Sequence, residues 1–186
     1  MLSRPIIFLL FIFCTIISSF AQDNEEVLLQ QIVLSESAKS VSNAFLNDNR
    51  IIINQFGEGN VVSISQIDQQ GNSGGNEAYI YQNSLNNLVS LSQTGFNNST
   101  NIEQYGSGNS IAFDIEGSNN KSSLMQSGSN NELISQIMST GMLYEVQQIG
   151  MNNQLIQKEE GAAKLNYKIT QTGIGMKIQI TNGSIK

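Results

Sequence analysis

From residue 49 onward, apolar and polar side chains alternate along the chain in short segments separated by small residues. The segment Asn-Leu-Val-Ser-Leu-Ser-Gln that begins at Asn87 is typical: Val89 and Leu91 share one face, and Ser90 and Ser92 share the other. A period of two is that of a β-strand with one buried and one solvated face. The pattern therefore predicts an all-β fold whose strands direct an Asn, two apolar residues and a Gln inward.

A small turn residue, usually glycine, recurs between these segments in the unit Gln-x-Gly-x-x-Asn. From Ser84 to Gly161 every interval is eleven residues, and only the flanks differ, with 14 and 13 residues on either side of Gly71 and 12 at the end. Glycine readily adopts the positive φ that a tight reversal requires. Each unit is therefore expected to form one strand and one turn. The predicted turn glycines are Gly57, Gly95, Gly106, Gly117, Gly128, Gly150, Gly161 and Gly173.

Two units of eleven residues make one rung of a flattened coil, so the predicted architecture is a β-solenoid with about 22 residues per rung. Twelve units fit into residues 49–186. Six rungs at the spacing of paired strands give a stack of about 29 Å. The repeats predict stacking within one chain and leave open whether chains also stack on one another in an amyloid-like cross-β assembly.

Amides at the strand ends fit this stack, because identical Asn or Gln side chains in register can each donate to one neighbour and accept from the other. A buried amide without such a partner would cost a few kcal/mol. The residues predicted to form these stacking ladders are Gln55, Gln82, Asn87, Gln93, Asn98, Gln104, Asn109, Asn120, Gln126, Asn131, Gln148, Asn153 and Gln171.

The first 48 residues have a different composition. Arg4 precedes an apolar run that ends near Ile17, and small residues at Ser19 and Ala21 suit a signal peptidase, so residues 1–21 are predicted to be a signal peptide. Cys14 lies inside that run after a Phe, which disfavours lipidation. Residues 22–48 are interpreted as an N-terminal leader or export segment, and residues 49–186 as the repeat domain.

The chain has no His, no Trp and one Cys, and its formal net charge is −6. General acid–base catalysis and zinc sites use His or Cys most often, and nucleic-acid binding requires basic surfaces. Asn and Gln make up 23 and 18 of the 186 residues. We therefore expect no enzyme activity, cofactor, metal site or nucleic-acid partner.

The unit as it stands in Gln82-x-Ser84-x-x-Asn87-x-Val89-x-x-x-Gln93 resembles the repeat of curlins, the subunits of bacterial curli fibres. The resemblance covers about residues 49–186. It implies a secreted subunit that crosses the outer membrane unfolded through export machinery and polymerises with other curlin subunits into a β-solenoid amyloid at the cell surface, in adhesion and biofilm formation.

Curlins include a major subunit and a minor, nucleating subunit. The chain departs from a regular major-type repeat at Ile115 and Ile137 in the Gln position, Met142 in the Asn position, and Ser84 and Ser139 in the Gly position. The resemblance favours the minor subunit, whose charged terminal repeat anchors it. Residues with a possible anchoring role are Lys158, Lys164, Lys168, Lys177 and Lys186. The same lysines would also protect a sheet edge from pairing.

Two alternatives remain open at this point. One is that the chain is the major fibre subunit. The other is a monomeric β-solenoid that acts as a surface adhesin or binds a ligand such as ice or sugar. A calcium-binding repeat is disfavoured because Asp does not recur at the turns, and a polysaccharide-cleaving β-helix is disfavoured because only Asp114 and Glu116 lie close together.

Overall fold

The computed structural model describes residues 48–68, 74–160 and 166–183. Within these ranges the chain forms twelve β-strands. Their bounds are β1 Arg50–Phe56, β2 Val61–Ile67, β3 Glu77–Asn83, β4 Leu88–Phe96, β5 Ser99–Ser107, β6 Ser110–Ser118, β7 Lys121–Ser129, β8 Glu132–Met138, β9 Leu143–Met151, β10 Gln154–Glu160, β11 Tyr167–Ile174 and β12 Lys177–Gly183.

The strands alternate between two parallel six-stranded sheets. Sheet A has the order β1-β3-β5-β7-β9-β11, and sheet B has the order β2-β4-β6-β8-β10-β12. Each rung therefore consists of one strand from each sheet, and residues 22 apart, such as Gln104 and Gln126, face each other on successive rungs. The prediction of an all-β solenoid with about 22 residues per rung is confirmed.

The core lies between the two sheets and is built from the inward face of each strand. Val89 and Leu91 of β4 stack on Ile111 and Phe113 of β6, and all four side chains are buried. Outward neighbours such as Ser90 are exposed. The predicted assignment of inward and outward faces is confirmed, because a slip of one residue would have exchanged the two faces.

Two local features differ from the sequence prediction. Five strands extend to nine residues and run through the turn glycine, as Leu88–Phe96 does at Gly95, so the turns are shorter than four residues. In the first rung, β2 pairs with β4 up to Ile67 and Thr94. Asp68 is therefore next in line with Gly95, whereas the repeat unit placed Gly71 at this turn. The additional residues of this repeat lie after strand β2 and not within it. A repeat unit counted back from Gly71 therefore does not coincide with the strand.

Several predictions lie outside the described residues. These are the signal peptide 1–21, all of the leader 22–48 except Asp48, and the positions Gly71, Gly161, Lys164 and Lys186. No helix in the described part of the chain has the length and apolar character needed to cross a membrane.

Candidate functional site

A glutamine ladder runs the length of sheet A. Six Gln side chains stack in register, and each Nε2 donates to the Oε1 of the next rung toward the C-terminus. The five bonds are Gln55 to Gln82 at 2.7 Å, Gln82 to Gln104 at 2.8 Å, Gln104 to Gln126 at 2.8 Å, Gln126 to Gln148 at 2.7 Å and Gln148 to Gln171 at 2.7 Å. All six were among the residues singled out from the sequence, and all donate in the same direction.

In every ladder residue from Gln82 to Gln171, Nε2 also donates to a backbone oxygen. Gln104 Nε2 donates to the backbone oxygen of Leu88 at 3.2 Å, and Gln126 Nε2 donates to that of Ser110 at 3.0 Å. These oxygens belong to the opposite sheet, so the ladder also ties the two sheets together. Amides that are paired in this way can lie in the core without the cost of unpaired polar groups.

The equivalent column of sheet B is interrupted. Gln66 Nε2 donates to Gln93 Oε1 at 2.6 Å, but Gln93 then donates to Thr100 Oγ1 at 2.9 Å because Ile115 occupies the next rung. Ile137 and Glu159 follow in register. Gln66 was missed by the sequence analysis, because the repeat unit was aligned on Gly71.

Glu159 brings a carboxylate into the core. It is only 1 % exposed, and its Oε2 has no hydrogen-bond partner among the described residues. Tyr167 lies nearby, and the pKa of Tyr167 is raised by burial and by its hydrogen bond to Glu159. One oxygen of this buried carboxylate therefore lacks a described partner, and an unpaired polar group in a core is costly.

Asparagine ladders line the two corners and have the opposite polarity. In one corner, Asn131 donates from its backbone N and from Nδ2 to Asn109 Oδ1, at 3.1 and 3.0 Å. Asn131 Nδ2 also donates to the carbonyl of Gly150 in the next rung, at 3.0 Å. The ladder in this corner comprises Asn60, Asn87, Asn109, Asn131 and Asn153. The other comprises Asn49, Asn76, Asn98 and Asn120 and ends at Met142, whose backbone N donates to Asn120.

The turn glycines are required for the close approach of successive rungs. A Cβ placed on Gly128 would lie 2.0 Å from the carbonyl oxygen of Gly150, and one on Gly106 would lie 2.1 Å from that of Gly128. Both glycines also have positive φ, of 114° and 92°. The same proximity to the next rung holds for Gly57, Gly95, Gly117 and Gly150. Gly173 differs, because its nearest neighbour is Met176 Sδ at 3.4 Å.

A second left-handed position follows two residues after each turn residue, and the sequence analysis missed it. Asn97, Asn119 and Asn130 have φ of 53–56°, and Gly59, Gly108 and Gly175 have φ of 68–69°. Asn and Gly are the residues that tolerate this conformation best. The signal is visible in the sequence, since the unit is more fully written Gly-x-(Asn/Gly)-Asn.

The described lysines of the proposed anchor form few contacts outside their own strands. Lys158 pairs with Glu160 at 2.7 Å, and Lys168 pairs with Glu145 at 2.9 Å. Lys177 is exposed and forms no ion pair with a described residue. Surface pairs of this kind contribute little to stability. The ion pairs with Glu160 and Glu145 reduce the positive charge that Lys158 and Lys168 present to a partner.

Among the described residues, the two ends of the stack are open. In the first rung, formed by β1 and β2, the inward-facing Ile51 and Ile53 are 42 and 43 % exposed, and no described rung covers them. In the last rung, formed by β11 and β12, Ile169 and Ile180 are half-buried. Within the part of the chain that the structure describes, both ends present unpaired strand edges, which are templates for pairing with another chain.

Within the described residues, no group of three or more His, Cys, Asp or Glu side chains could hold a metal ion. The arrangement of this site is suited to stacking, since its polar groups are held in rows that point along the solenoid axis.

The family model described as the curlin associated repeat matches residues 95–128, which contain the end of β4, all of β5 and β6, and most of β7. No curated protein and no solved structure matches the chain. The matched segment runs from Gly95 to Gly128 in the middle of the stack and includes the bond from Gln104 to Gln126 in the sheet A ladder. The central rungs of this chain are therefore similar in sequence to curlin repeats.

Proposed function

We propose that the chain is a secreted structural subunit of curli-type amyloid fibres. The observation that carries the proposal is the glutamine ladder of sheet A, which extends from the first rung to the last and stops only where the described strands stop. A ladder of this kind gains further hydrogen bonds whenever another rung is added. The similarity of residues 95–128 to the curlin associated repeat supports the same function.

This function implies a sequence of export, folding and assembly steps. Residues 1–21 direct export, residues 22–48 engage the export machinery of a bacterium with an outer membrane, and the repeat domain folds at the cell surface. Its partners are other curlin subunits, and the assembled fibre serves adhesion and biofilm formation. The first rung loses conformational entropy before it gains contacts with a neighbouring rung. The open end of a subunit that has already folded supplies those contacts and should therefore accelerate folding.

We further propose that the chain is the minor, nucleating subunit. Its sheet B column changes from Gln to Ile and then to a buried Glu159, and its Asn corners change to Met142 and Met176. These departures make the rungs near the C-terminus a poorer template than the rungs near the N-terminus. A subunit with one good template end and one weakened, lysine-rich end is suited to seeding a fibre while the weak end is attached to the surface.

Incubation of the purified chain without residues 1–21 tests the first proposal. We expect sedimentable fibres, detected by electron microscopy, that shorten the lag of a fresh sample of the same chain. A chain that stays folded and monomeric at high concentration would favour the monomeric solenoid instead.

Deletion of residues 162–186 tests the nucleating role. The truncated chain should still seed a partner curlin in solution but should be released from the cell surface. If the full-length protein instead forms the bulk of the fibre mass on cells, the major-subunit alternative is correct, and the lysines only protect an edge.

A further inference from the structure

Three aromatic rings form a row on the outer face of sheet A, on the strands of the first three rungs. The centroid of the Tyr81 ring lies 5.7 Å from that of Phe56 and 5.5 Å from that of Tyr105, with interplanar angles of 47° and 43°. Rings at this separation are in contact. Tyr105 is 36 % exposed and Tyr81 is half-buried, so solvent reaches both phenols. The row lies outside the core and the amide ladders.

The Tyr105 hydroxyl belongs to a hydrogen-bonded chain along β5. It donates to Glu103 Oε2 at 3.0 Å, and Asn101 Nδ2 donates to the other carboxylate oxygen, Oε1, at 3.1 Å. The three side chains are two residues apart, so the strand places all of them on its outer face. The hydrogen bond to Glu103 is the main reason that the pKa of Tyr105 is raised. The phenol is therefore protonated at neutral pH, with a carboxylate within the reach of a general base.

Tyr105 differs in this respect from the other two tyrosines of the same face. The hydroxyl of Tyr81 accepts a hydrogen bond from Asn83 Nδ2, and the hydroxyl of Tyr79 accepts one from Asn54 Nδ2, both at 3.4 Å. An amide nitrogen only donates, so it does not take up a phenol proton. Among these three described tyrosines, Tyr105 alone has a carboxylate on its hydroxyl.

The strands on either side of β5 add no competing carboxylate to this contact. On β7, Met125 and Ser127 are the register partners of Glu103 and Tyr105. On β3, the register partner of Glu103 is Tyr81. The titratable groups that act on the Tyr105 hydroxyl are Glu103 and the tyrosines of β3, so Glu103 is the base that faces it.

We propose that Tyr81 and Tyr105 form a site of oxidative cross-linking, at which a haem peroxidase and hydrogen peroxide join the two rings as dityrosine. Each phenol loses one electron and one proton to become a phenoxyl radical, and Glu103 accepts the proton of Tyr105. The radicals form a carbon–carbon bond between one Cε of each ring; each bonded Cε then loses its hydrogen as a proton, and each oxygen regains one. In total, two hydrogen atoms leave the protein and reduce one hydrogen peroxide to two waters.

The product would link β3 of the second rung covalently to β5 of the third. A cross-link of this kind restricts the unfolded chain, as a disulfide does, and therefore favours the folded state. The modification goes beyond assembly, because it would make two rungs within one subunit resistant to denaturant. We expect the cross-linked chain to unfold at a higher urea concentration than the unmodified chain.

A second tyrosine pair, Tyr144 and Tyr167, should not cross-link. Its ring centroids are 6.2 Å apart with an interplanar angle of 77°. Tyr144 is fully buried, and its hydroxyl donates to Gln157 Oε1 at 2.8 Å. A bond between these rings would require the core to open. The two pairs therefore provide a comparison within one chain.

Treatment of the folded full-length chain with a haem peroxidase and hydrogen peroxide tests the proposal. An equal mixture of isotopically labelled and unlabelled chain is used, because a link within one chain joins only peptides of the same label. We expect dityrosine fluorescence and a peptide pair that contains Tyr81 and Tyr105, lacks two hydrogens and never mixes labels. Mixed labels, or a pair that contains Tyr144 in place of this one, would overturn the proposal.

Tyr81→Phe removes one phenol and keeps the ring. We expect this variant to lose the linked peptide pair, with dityrosine fluorescence at the background. Tyr79→Phe, at an exposed position of the same strand, is the matched control and should retain the link. Circular dichroism checks that both variants are folded. An unchanged yield of dityrosine in folded Tyr81→Phe would contradict the site.

Glu103→Gln tests the proton acceptor. The amide oxygen can still accept a hydrogen bond from Tyr105, but an amide is not a base. Cross-linking should slow several-fold at neutral pH and approach the rate of the unmodified chain as pH rises toward about 10, where the phenol ionises without a base. Glu77→Gln, at an exposed carboxylate that pairs with Arg50, should leave the pH profile unchanged. Equal slowing at every pH would overturn the role of Glu103 as the base.

A transplanted pair provides a test that does not depend on removing a group. Asn54 and Phe56 of β1 occupy the same register columns as Glu103 and Tyr105, on the other side of Tyr81. In a Tyr105→Phe background, Asn54→Glu combined with Phe56→Tyr should create a link between positions 56 and 81. Phe56→Tyr without the new carboxylate should couple several-fold more slowly. A folded double variant that forms no link, or one that couples no faster than Phe56→Tyr alone, would contradict the proposal.

Discussion

Gln104 donates a hydrogen bond from Nε2 to Oε1 of Gln126, 2.8 Å away on the next rung, and both side chains are buried. The two residues are 22 positions apart, which is the length of one rung. Interior amides of this kind are stable only when the register is correct, because a slip would leave several of them unpaired. The ladder therefore fixes the register of the whole stack as well as stabilising it.

Gln104→Leu should break the ladder at its centre. The substitution keeps the size of the side chain but leaves Gln82 Nε2 and Gln126 Oε1 without ladder partners. Because each buried unpaired group costs about 1–3 kcal/mol, we expect a loss of at least that size in the free energy of unfolding, measured by urea denaturation. Gln136→Leu, on the exposed face of β8, is the matched control and should change stability little. Equal effects would show that the ladder does not stabilise the fold.

Gly128→Ala should be far more destabilising than Gly173→Ala. Both glycines have positive φ, which costs a residue with a Cβ about 1–2 kcal/mol. At Gly128 the new methyl group would also meet the carbonyl of Gly150 at 2.0 Å, whereas at Gly173 the space is open. Thermal unfolding of the two variants in dilute solution compares the costs directly. Similar melting temperatures would mean that contact between rungs does not select glycine at the turn.

Glu159→Gln should stabilise the chain at neutral pH. The substitution replaces the carboxyl group by an amide at a site that is 1 % exposed and where one carboxyl oxygen has no described partner. Because an amide is cheaper to bury than a carboxyl group with one unpaired oxygen, we expect a gain of about 1 kcal/mol in the free energy of unfolding. Glu160→Gln, the neighbouring exposed residue that pairs with Lys158, should have almost no effect. A destabilised Glu159→Gln variant would indicate that the hydrogen bond with Tyr167 compensates the buried carboxyl group.

The unfolding free energy should decline above about pH 10 because of Tyr144. Burial raises the pKa of Tyr144, whose hydroxyl donates to Gln157 Oε1 at 2.8 Å and whose ring stacks on Phe113 at 5.6 Å. A raised pKa in the folded state means that stability is fully present below the unfolded pKa and is lost as pH rises beyond it. Tyr144→Phe should be less stable at pH 7, because Gln157 loses its donor, yet should show a flatter decline above pH 10. Tyr79→Phe, at an exposed site, should leave the alkaline decline unchanged.

The sequence was sufficient to predict the fold because the eleven-residue spacing and the alternation of faces are both direct consequences of the geometry of a rung. Val89 and Leu91 could be placed in the core, and Ser90 outside it, from period two alone. The first rung was harder, since the additional residues between β2 and β3 hide the equivalence of Gln66 and Gln93. Only the pairing of β2 with β4 reveals this equivalence. The spacing of residues along the sequence does not show whether an insertion lies before or after the turn.

The direction of the ladders was also beyond sequence reasoning. Gln and Asn each carry one acceptor and one donor group, so composition fixes the number of bonds but not their polarity. The structure gives the Gln column and the Asn corners opposite directions, as Gln104 to Gln126 and Asn131 to Asn109 show. This polarity depends on the position of the backbone groups around each amide, which only the folded rung defines.

X-ray diffraction from aligned fibres of the chain without residues 1–21 tests the central proposal most directly. If copies of this solenoid stack along one axis, the pattern should show a meridional reflection near 4.8 Å from the spacing of rungs and an equatorial one near 10 Å from the spacing of sheets. A chain that remains folded as a monomer and gives no fibre, or a fibre whose strands lie parallel to its axis, would contradict the account.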